Sequence, residues 1–336
     1  MSIKRARTAP STTAYYSYSS PLEGWAVITR KSSFPGSVTR PVRYQLQAET
    51  RAGSGKGLLP VQDREDLGDL MSELNSLIGL GKVKKLLSEI KDYITIQQQR
   101  RDMGLLAEPL VLHMVFKGNP GTGKTTVARI LGKAFARMGL LSKGHLTEVE
   151  RADLVGEYIG HTALKTREMV KKALGGILFI DEAYSLARGG EKDFGKEAID
   201  TLVKAMEDHK DDFVLILAGY RGEMEAFLRS NPGLKSRFPI HIEFPDYKIE
   251  ELVDIAELIT RNRQYYLTPG AREKIRELLY ENAGSGELVM GNARYIRNLV
   301  EAAIRKQAVR LAKAKIVTKE ALMALERQDI IEALEK

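Results

Sequence analysis

The chain has 336 residues, 43% of them hydrophobic, which suffices for two packed domains and a tail. It has no cysteine, so disulfides, thiolate metal sites and cysteine nucleophiles are excluded, and a reducing, cytoplasmic setting is expected. The net charge of +8 is concentrated at one end: residues 1–62 carry nine Lys or Arg against two Asp or Glu, leaving +1 for the rest, so composition gives no sign of a nucleic-acid groove in the folded part.

No stretch approaches the ~20 apolar residues needed to span a bilayer, and no apolar core follows Lys4, Arg5 and Arg7. Residues 1–62 are rich in Ser, Thr, Gly, Pro and Arg, keep no helical or strand period, and are expected to form a basic disordered tail. From residue 63 to 108 apolar residues recur at helical spacing, first at Leu67, Leu70, Met71, Leu74, Leu77 and Ile78, then from 83 to 101. This predicts a helical lead-in.

Residues 109–246 have a different texture. Short apolar runs at 112–116, 146–149, 177–180, 213–218 and 240–244 alternate with helical stretches near 125–138, 162–174, 195–208 and 222–230. Such alternation predicts an α/β domain with a parallel sheet covered on both faces. After Pro245 only helical patterns are expected, over 248–263, 269–282, 292–313 and 318–334, making residues 247–336 a small all-helical domain. Ile296, Leu299, Val300, Ala303, Ile304 and Ala308 form the predicted apolar stripe of its third helix, with Arg297, Arg305, Lys306 and Arg310 on a solvated or intersubunit face.

The chemistry is carried by two motifs. Gly118-Asn119-Pro120-Gly121-Thr122-Gly123-Lys124-Thr125 fits G-x-x-x-x-G-K-[ST] between a strand and a helix. Its glycines let the backbone N–H groups curl around phosphates at a helix N-terminus, Thr126 continuing that first turn. Lys124 is expected to reach the β- and γ-phosphates, and the Thr125 hydroxyl to ligate Mg²⁺. The second motif, Gly176-Ile177-Leu178-Phe179-Ile180-Asp181-Glu182, ends a buried strand in two carboxylates. Asp181 is expected to hold Mg²⁺, and Glu182 to orient and deprotonate the attacking water. With no N-K-x-D guanine reader in the chain, ATP is the expected nucleotide.

A P-loop, a strand ending in two acids, an arginine before the last strand and a helical lid, in that order, resemble an AAA+ P-loop ATPase over residues 65–334. Within that class, the stretches 143–146, 154–162 and 179–186 resemble the stage V sporulation protein K family and, less closely, red-type Rubisco activases. The resemblance implies that Tyr158-Ile159-Gly160 forms a pore loop gripping a protein client. It also implies that Arg237 is an arginine finger serving a neighbouring subunit and that Arg294, in Gly291-Asn292-Ala293-Arg294, contacts the γ-phosphate from the lid. A homo-oligomeric ring, a hexamer, follows. Where most of the class has a polar sensor 1 residue, this chain has Gly219-Tyr220, which makes Tyr220 a candidate for that role. The implied function is remodelling or threading of a protein client, sporulation-associated, with activation of a sugar-phosphate-inhibited enzyme or a nucleic-acid motor as alternatives. The five histidines show no zinc spacing, and no metal beyond Mg²⁺ is expected.

Overall fold

The computed structural model describes residues 25–27, 43–45, 77–107, 110–158, 160–188, 194–282, 286–314 and 316–334. Two units are distinguished, residues 1–57 and 58–336. In the first, β1 (Trp25–Val27) and β2 (Arg43–Gln45) pair antiparallel, Trp25 opposite Gln45. The remainder of the tail, and the helix expected before residue 77, lie outside the described residues.

The second unit is built on a five-stranded parallel sheet. Its strands are β3 (Met114–Gly118), β4 (Leu146–Val149), β5 (Ile177–Ile180), β6 (Val214–Gly219) and β7 (Ile240–Phe244), in spatial order β4-β5-β6-β3-β7. Each strand was legible as an apolar run because a parallel sheet is buried on both faces, and only its ends shift by up to two residues from expectation.

Alternate side chains divide the core in two. Met114, Phe116, Ile177, Phe179, Ile216, Ile242 and Phe244 pack on one face against α1 (Gly81–Asp102) and α2 (Lys124–Arg137), through Leu87, Ile90, Val127, Leu131 and Phe135. Val115, Leu178, Ile180, Leu215 and Leu217 point the other way. After the single turn α3 (Arg151–Leu154), that second face is covered by α4 (His161–Ala173), α5 (Gly195–Asp208) and α6 (Arg221–Ser230). Phe116 and Phe179 are fully buried with ring centroids 6.4 Å apart; truncating either to Ala costs about 3–5 kcal/mol.

A short turn α7 (Pro232–Lys235) precedes β7, after which the lid begins with α8 (Ile249–Asn262). It continues through α9 (Pro269–Glu281) and α10 (Gly286–Ala312) to α11 (Lys319–Met323) and α12 (Arg327–Glu332). Thr268 caps α9 by accepting from Ala271 N at 3.3 Å, with Pro269 following in the first turn, the arrangement that satisfies a helix start. Leu252, Val253, Ala256, Ile275, Leu279, Ile296, Val300 and Ile330 form a separate lid core.

The lid corrects two expectations. The pattern at 318–334 is not one helix: it breaks at β9 (Ala324–Leu325), which pairs in parallel with β8 (Tyr266–Leu267). Gln307, buried, donates to the carbonyls of Ala321, Leu322 and Ala324 at 2.9–3.1 Å, supplying partners that the interrupted helix lacks. The inner stripe of α10 therefore runs through Gln307 and on to Arg310, while Ala308 is exposed. Arg310 belongs to the lid interior, donating through Nε and Nη2 to buried Asp329 at 2.8 and 2.9 Å. A polar residue in the apolar phase hid both from a hydropathy reading.

Candidate functional site

In an open parallel sheet the loops leaving the carboxyl ends of the strands make the binding crevice. Here the described residues of those loops are 119–123 after β3, 150–158 and 160 after β4, 181–188 and 194 after β5, 220 after β6 and 245–248 after β7. Among the described residues, all but one of the predicted site residues outside the lid stand on that edge.

The P-loop is pinned from within. Thr122, 1% exposed, donates its hydroxyl to the Asn119 carbonyl at 2.7 Å, so it serves the loop's shape and has only its N–H to offer a ligand. Lys124 Nζ donates to the carbonyls of Gly118 and Asn119 at 2.9 and 2.8 Å. Gly123, at φ +93, opens α2 with no side-chain cap, leaving the first-turn N–H groups for an anion. Gly121 is required twice over. Its φ is +74, and a Cβ there would lie 2.3 Å from the Gly291 carbonyl oxygen.

Lys124, Asp181, Glu182 and Arg294 share one electrostatic field although they come from α2, the end of β5 and the lid. Burial pulls the Lys124 ammonium below the ordinary lysine range; Asp181 opposes that shift most strongly, Arg294 reinforces it and Glu182 opposes it. Asp181 accepts from Glu182 N at 3.0 Å, and Glu182 adopts a left-handed backbone at φ 47, ψ 42. A hydroxyl at Thr125 and a carboxylate at Asp181, beside a lysine and an uncapped helix start, are the hard oxygen donors that suit Mg²⁺ with a bound triphosphate.

The lid is latched to the P-loop by polar groups whose pairing across the chain the sequence did not show. Asp246 accepts from Asn119 Nδ2 at 3.0 Å and from Asn292 Nδ2 at 2.8 Å. Asn292 Oδ1 in turn accepts from Tyr247 N at 3.0 Å, Ala293 N donates to Gly121 O at 3.2 Å, and the Tyr247 hydroxyl donates to Thr122 O at 3.3 Å. Asn292 is 2% exposed and interrupts α10 at φ 43, ψ −133. This break orients the helix that carries Arg294 against the P-loop.

The remaining predicted residues belong to three further segments. Tyr158 is 65% exposed on the loop before α4, its ring edge-on to His161 at 5.5 Å; Gly160 follows at φ +83, and Ile159 lies outside the described residues. Tyr220 sits at the start of α6, its ring 6.2 Å from that of Tyr184. Arg237 precedes β7, whereas the P-loop follows β3, and these two strands run parallel in register, Met114 opposite Ile240 and Gly118 opposite Phe244. Arg237 and its own P-loop therefore lie at opposite ends of a five-residue ladder, on the order of 13 Å of strand apart. There it donates to Glu207 and to the Gly233 carbonyl.

A P-loop, a strand-end acid pair and a helical lid on a parallel sheet define a P-loop nucleoside triphosphatase. Residues 114–246 match the family described as ATPase family associated with various cellular activities (AAA), and residues 248–336 match the AAA lid domain. The chain is 54% identical over 265 residues to stage V sporulation protein K of Bacillus subtilis (strain 168), covering 79% of this chain and 82% of that protein. It is 44% identical to Protein CbbX of Cereibacter sphaeroides, covering 88% and 92% of the two chains. With the chloroplastic ribulose bisphosphate carboxylase/oxygenase activase of Cyanidioschyzon merolae it shares 45% identity, covering 81% and 92%. Among solved structures, a RuvB variant of Thermotoga maritima superimposes with a TM-score of 0.50 at 20% identity, covering 78% and 70%, a likeness of fold. The chain belongs to the AAA ATPase family.

Proposed function

We propose that this chain is a Mg²⁺-dependent ATPase that assembles as a hexameric ring and remodels a protein client by gripping it in the pore, in a sporulation-associated role. The observation that carries the reading is the division of the predicted site between the two ends of one sheet. Lys124, Asp181, Glu182 and Arg294 are coupled at the carboxyl end, while Arg237 stands a strand length away at the other. A group so placed serves a nucleotide in another copy, which makes assembly part of the chemistry. The 54% identity to stage V sporulation protein K supports the sporulation setting.

The chemistry follows from the groups present. The first-turn N–H groups of α2 take the β- and γ-phosphates, and Lys124 leaves its two loop carbonyls for phosphate oxygens. Mg²⁺, held by Thr125 and Asp181, neutralises charge on the phosphates when bound. Glu182 accepts a proton from the attacking water, and Arg294 from the lid with Arg237 from the neighbour stabilise charge on the transferred phosphoryl group. Because Asn292 and Asp246 tie the lid to the P-loop, a change at the γ-phosphate is felt as a change in lid angle, and the ring transmits it to Tyr158.

The test is Glu182→Gln. The variant is expected to bind ATP, assemble and not turn over, holding its client in a form that mass spectrometry identifies as protein. Recovery of nucleic acid without protein would overturn the remodelling reading, and retained turnover would overturn Glu182 as the base.

A further inference from the structure

The loop that carries Tyr158 stands on a tied base. α3 is a single four-residue turn, which does not hold on its own. The next N–H in line, that of Gly156, would extend it by donating to the Ala152 carbonyl. Instead it donates to the hydroxyl of buried Thr162 on α4 at 2.9 Å. The carbonyls so released are taken by the same face of α4, since residues 162, 165 and 166 fall three and four apart on a helix. Lys165 Nζ donates to the carbonyls of Ala152 and Val155 at 2.8 and 3.2 Å, and the buried Thr166 hydroxyl donates to the Leu154 carbonyl at 3.1 Å. Gly156 fits between them because it has no side chain: a Cβ there would lie 2.6 Å from that of His161, nearer than the 3.5–4.0 Å at which carbon atoms rest against each other. Four hydrogen bonds thus cross the neck of the loop. Tyr158 lies just beyond it, its carbonyl accepting from His161 N at 3.1 Å and its ring edge-on to that of His161.

We propose that Lys165 is the positioning residue for Tyr158: by tying the α3 turn to α4 it stiffens the neck, so that Tyr158 meets a polypeptide as an ordered tip that moves with α4. Lysine suits the task because its four-carbon stem reaches back across the neck and its ammonium has donors for both carbonyls at once. A tip ordered in advance has little backbone freedom left to lose when a client binds, and that favours affinity. The inference rests on Tyr158 acting as the grip.

The chain has no cysteine, so Tyr158→Cys carries a single nitroxide label whose spectrum reads the mobility of the tip. With the full chain, ATP and Mg²⁺, Lys165→Met is expected to shorten the label's correlation time about threefold, and Lys165→Arg, which keeps donors for the two carbonyls, to leave it within about 1.5-fold of the parent. Thr162→Val frees the Gly156 N–H at the same neck and is the second variant, expected to mobilise the label in the same way. Reduced, carboxymethylated lactalbumin, a permanently unfolded chain, probes the grip by fluorescence anisotropy. In the Glu182→Gln background with ATP, Tyr158→Ala and Lys165→Met are each expected to weaken its binding about tenfold, and Lys165→Arg to keep it. The two losses should not add in the double variant, since Lys165 works only through Tyr158. A label left unchanged by Lys165→Met and Thr162→Val, parental binding in Lys165→Met beside weakened binding in Tyr158→Ala, or losses that add would overturn the inference and leave the grip intact. Parental probe binding in Tyr158→Ala, or none in the Glu182→Gln chain, would instead remove the grip itself.

Discussion

Arg237 is clamped by Glu207. Nε and Nη2 both donate to the same carboxylate oxygen, Nε at 3.2 Å, and Nη1 donates to the Gly233 carbonyl at 2.8 Å. Three of the five guanidinium N–H donors are committed, so the group is fixed in direction yet keeps two donors for a ligand from outside.

Loss of the clamp should therefore weaken the finger without touching the nucleotide pocket of the same copy. Glu207→Ala is expected to lower the steady-state ATPase rate about tenfold, on the order of 1.4 kcal/mol, and to leave ATP affinity unchanged in an equilibrium titration. A variant with parental turnover would mean that the ion pair is only a surface contact.

Tyr158 is exposed and is not among the groups that act on the Lys124 ammonium. Tyr158→Ala is expected to retain basal ATPase within about twofold and to lose work on a client, measured as unfolding or release of a bound protein. Client processing that survives the substitution would exclude threading past this residue.

The lid supplies a stability prediction. Asp329 is 1% exposed and accepts from Arg310 Nε and Nη2 and from Glu326 N, so Asp329→Ala removes three hydrogen bonds and leaves Arg310 with Glu326 as its acidic partner. The expected loss is about 1–3 kcal/mol in denaturant unfolding.

His113 makes stability depend on pH. Burial lowers its pKa to about 4 from 6.5, against the opposing hydrogen bond to the Met206 carbonyl, and its Nδ1 accepts from Leu215 N at 3.0 Å. Between pH 6.5 and 4 the unfolded chain protonates this ring and the folded chain does not. The contribution is accordingly complete above pH 6.5 and lost as pH falls through that window, up to roughly 3 kcal/mol. His113→Gln should flatten that part of the stability curve relative to the parent, and an unchanged slope would contradict the assignment.

How much of this was legible depended on how far each feature reaches along the chain. The strands, the P-loop and the acid pair are local patterns, and β4 and β5 fall at the expected residues because their apolar runs end in turn or charged residues. The latch is not local: Asp246 and Asn292 are 46 residues apart, Asn119 and Asp246 127 apart, and no period or motif joins them. Glu207 lies 30 residues before Arg237 in the chain, and only the fold sets the two side by side. In the lid, Gln307 and Arg310 defeated the hydropathy pattern because their polar groups are satisfied inside the domain, by three carbonyls and by one buried carboxylate.

The proposed ATPase requires one copy to complete the site of another. Lys124→Ala and Arg237→Ala should each be nearly inactive alone, the second through loss of a finger worth ~10³ in rate. Mixed and reassembled, they form about one interface in four that joins an intact P-loop to an intact Arg237 if copies associate at random, so the ATPase rate of the mixture should exceed that of either component. A mixture no more active than its parts, or an Arg237→Ala protein that turns over like the parent, would contradict the shared site.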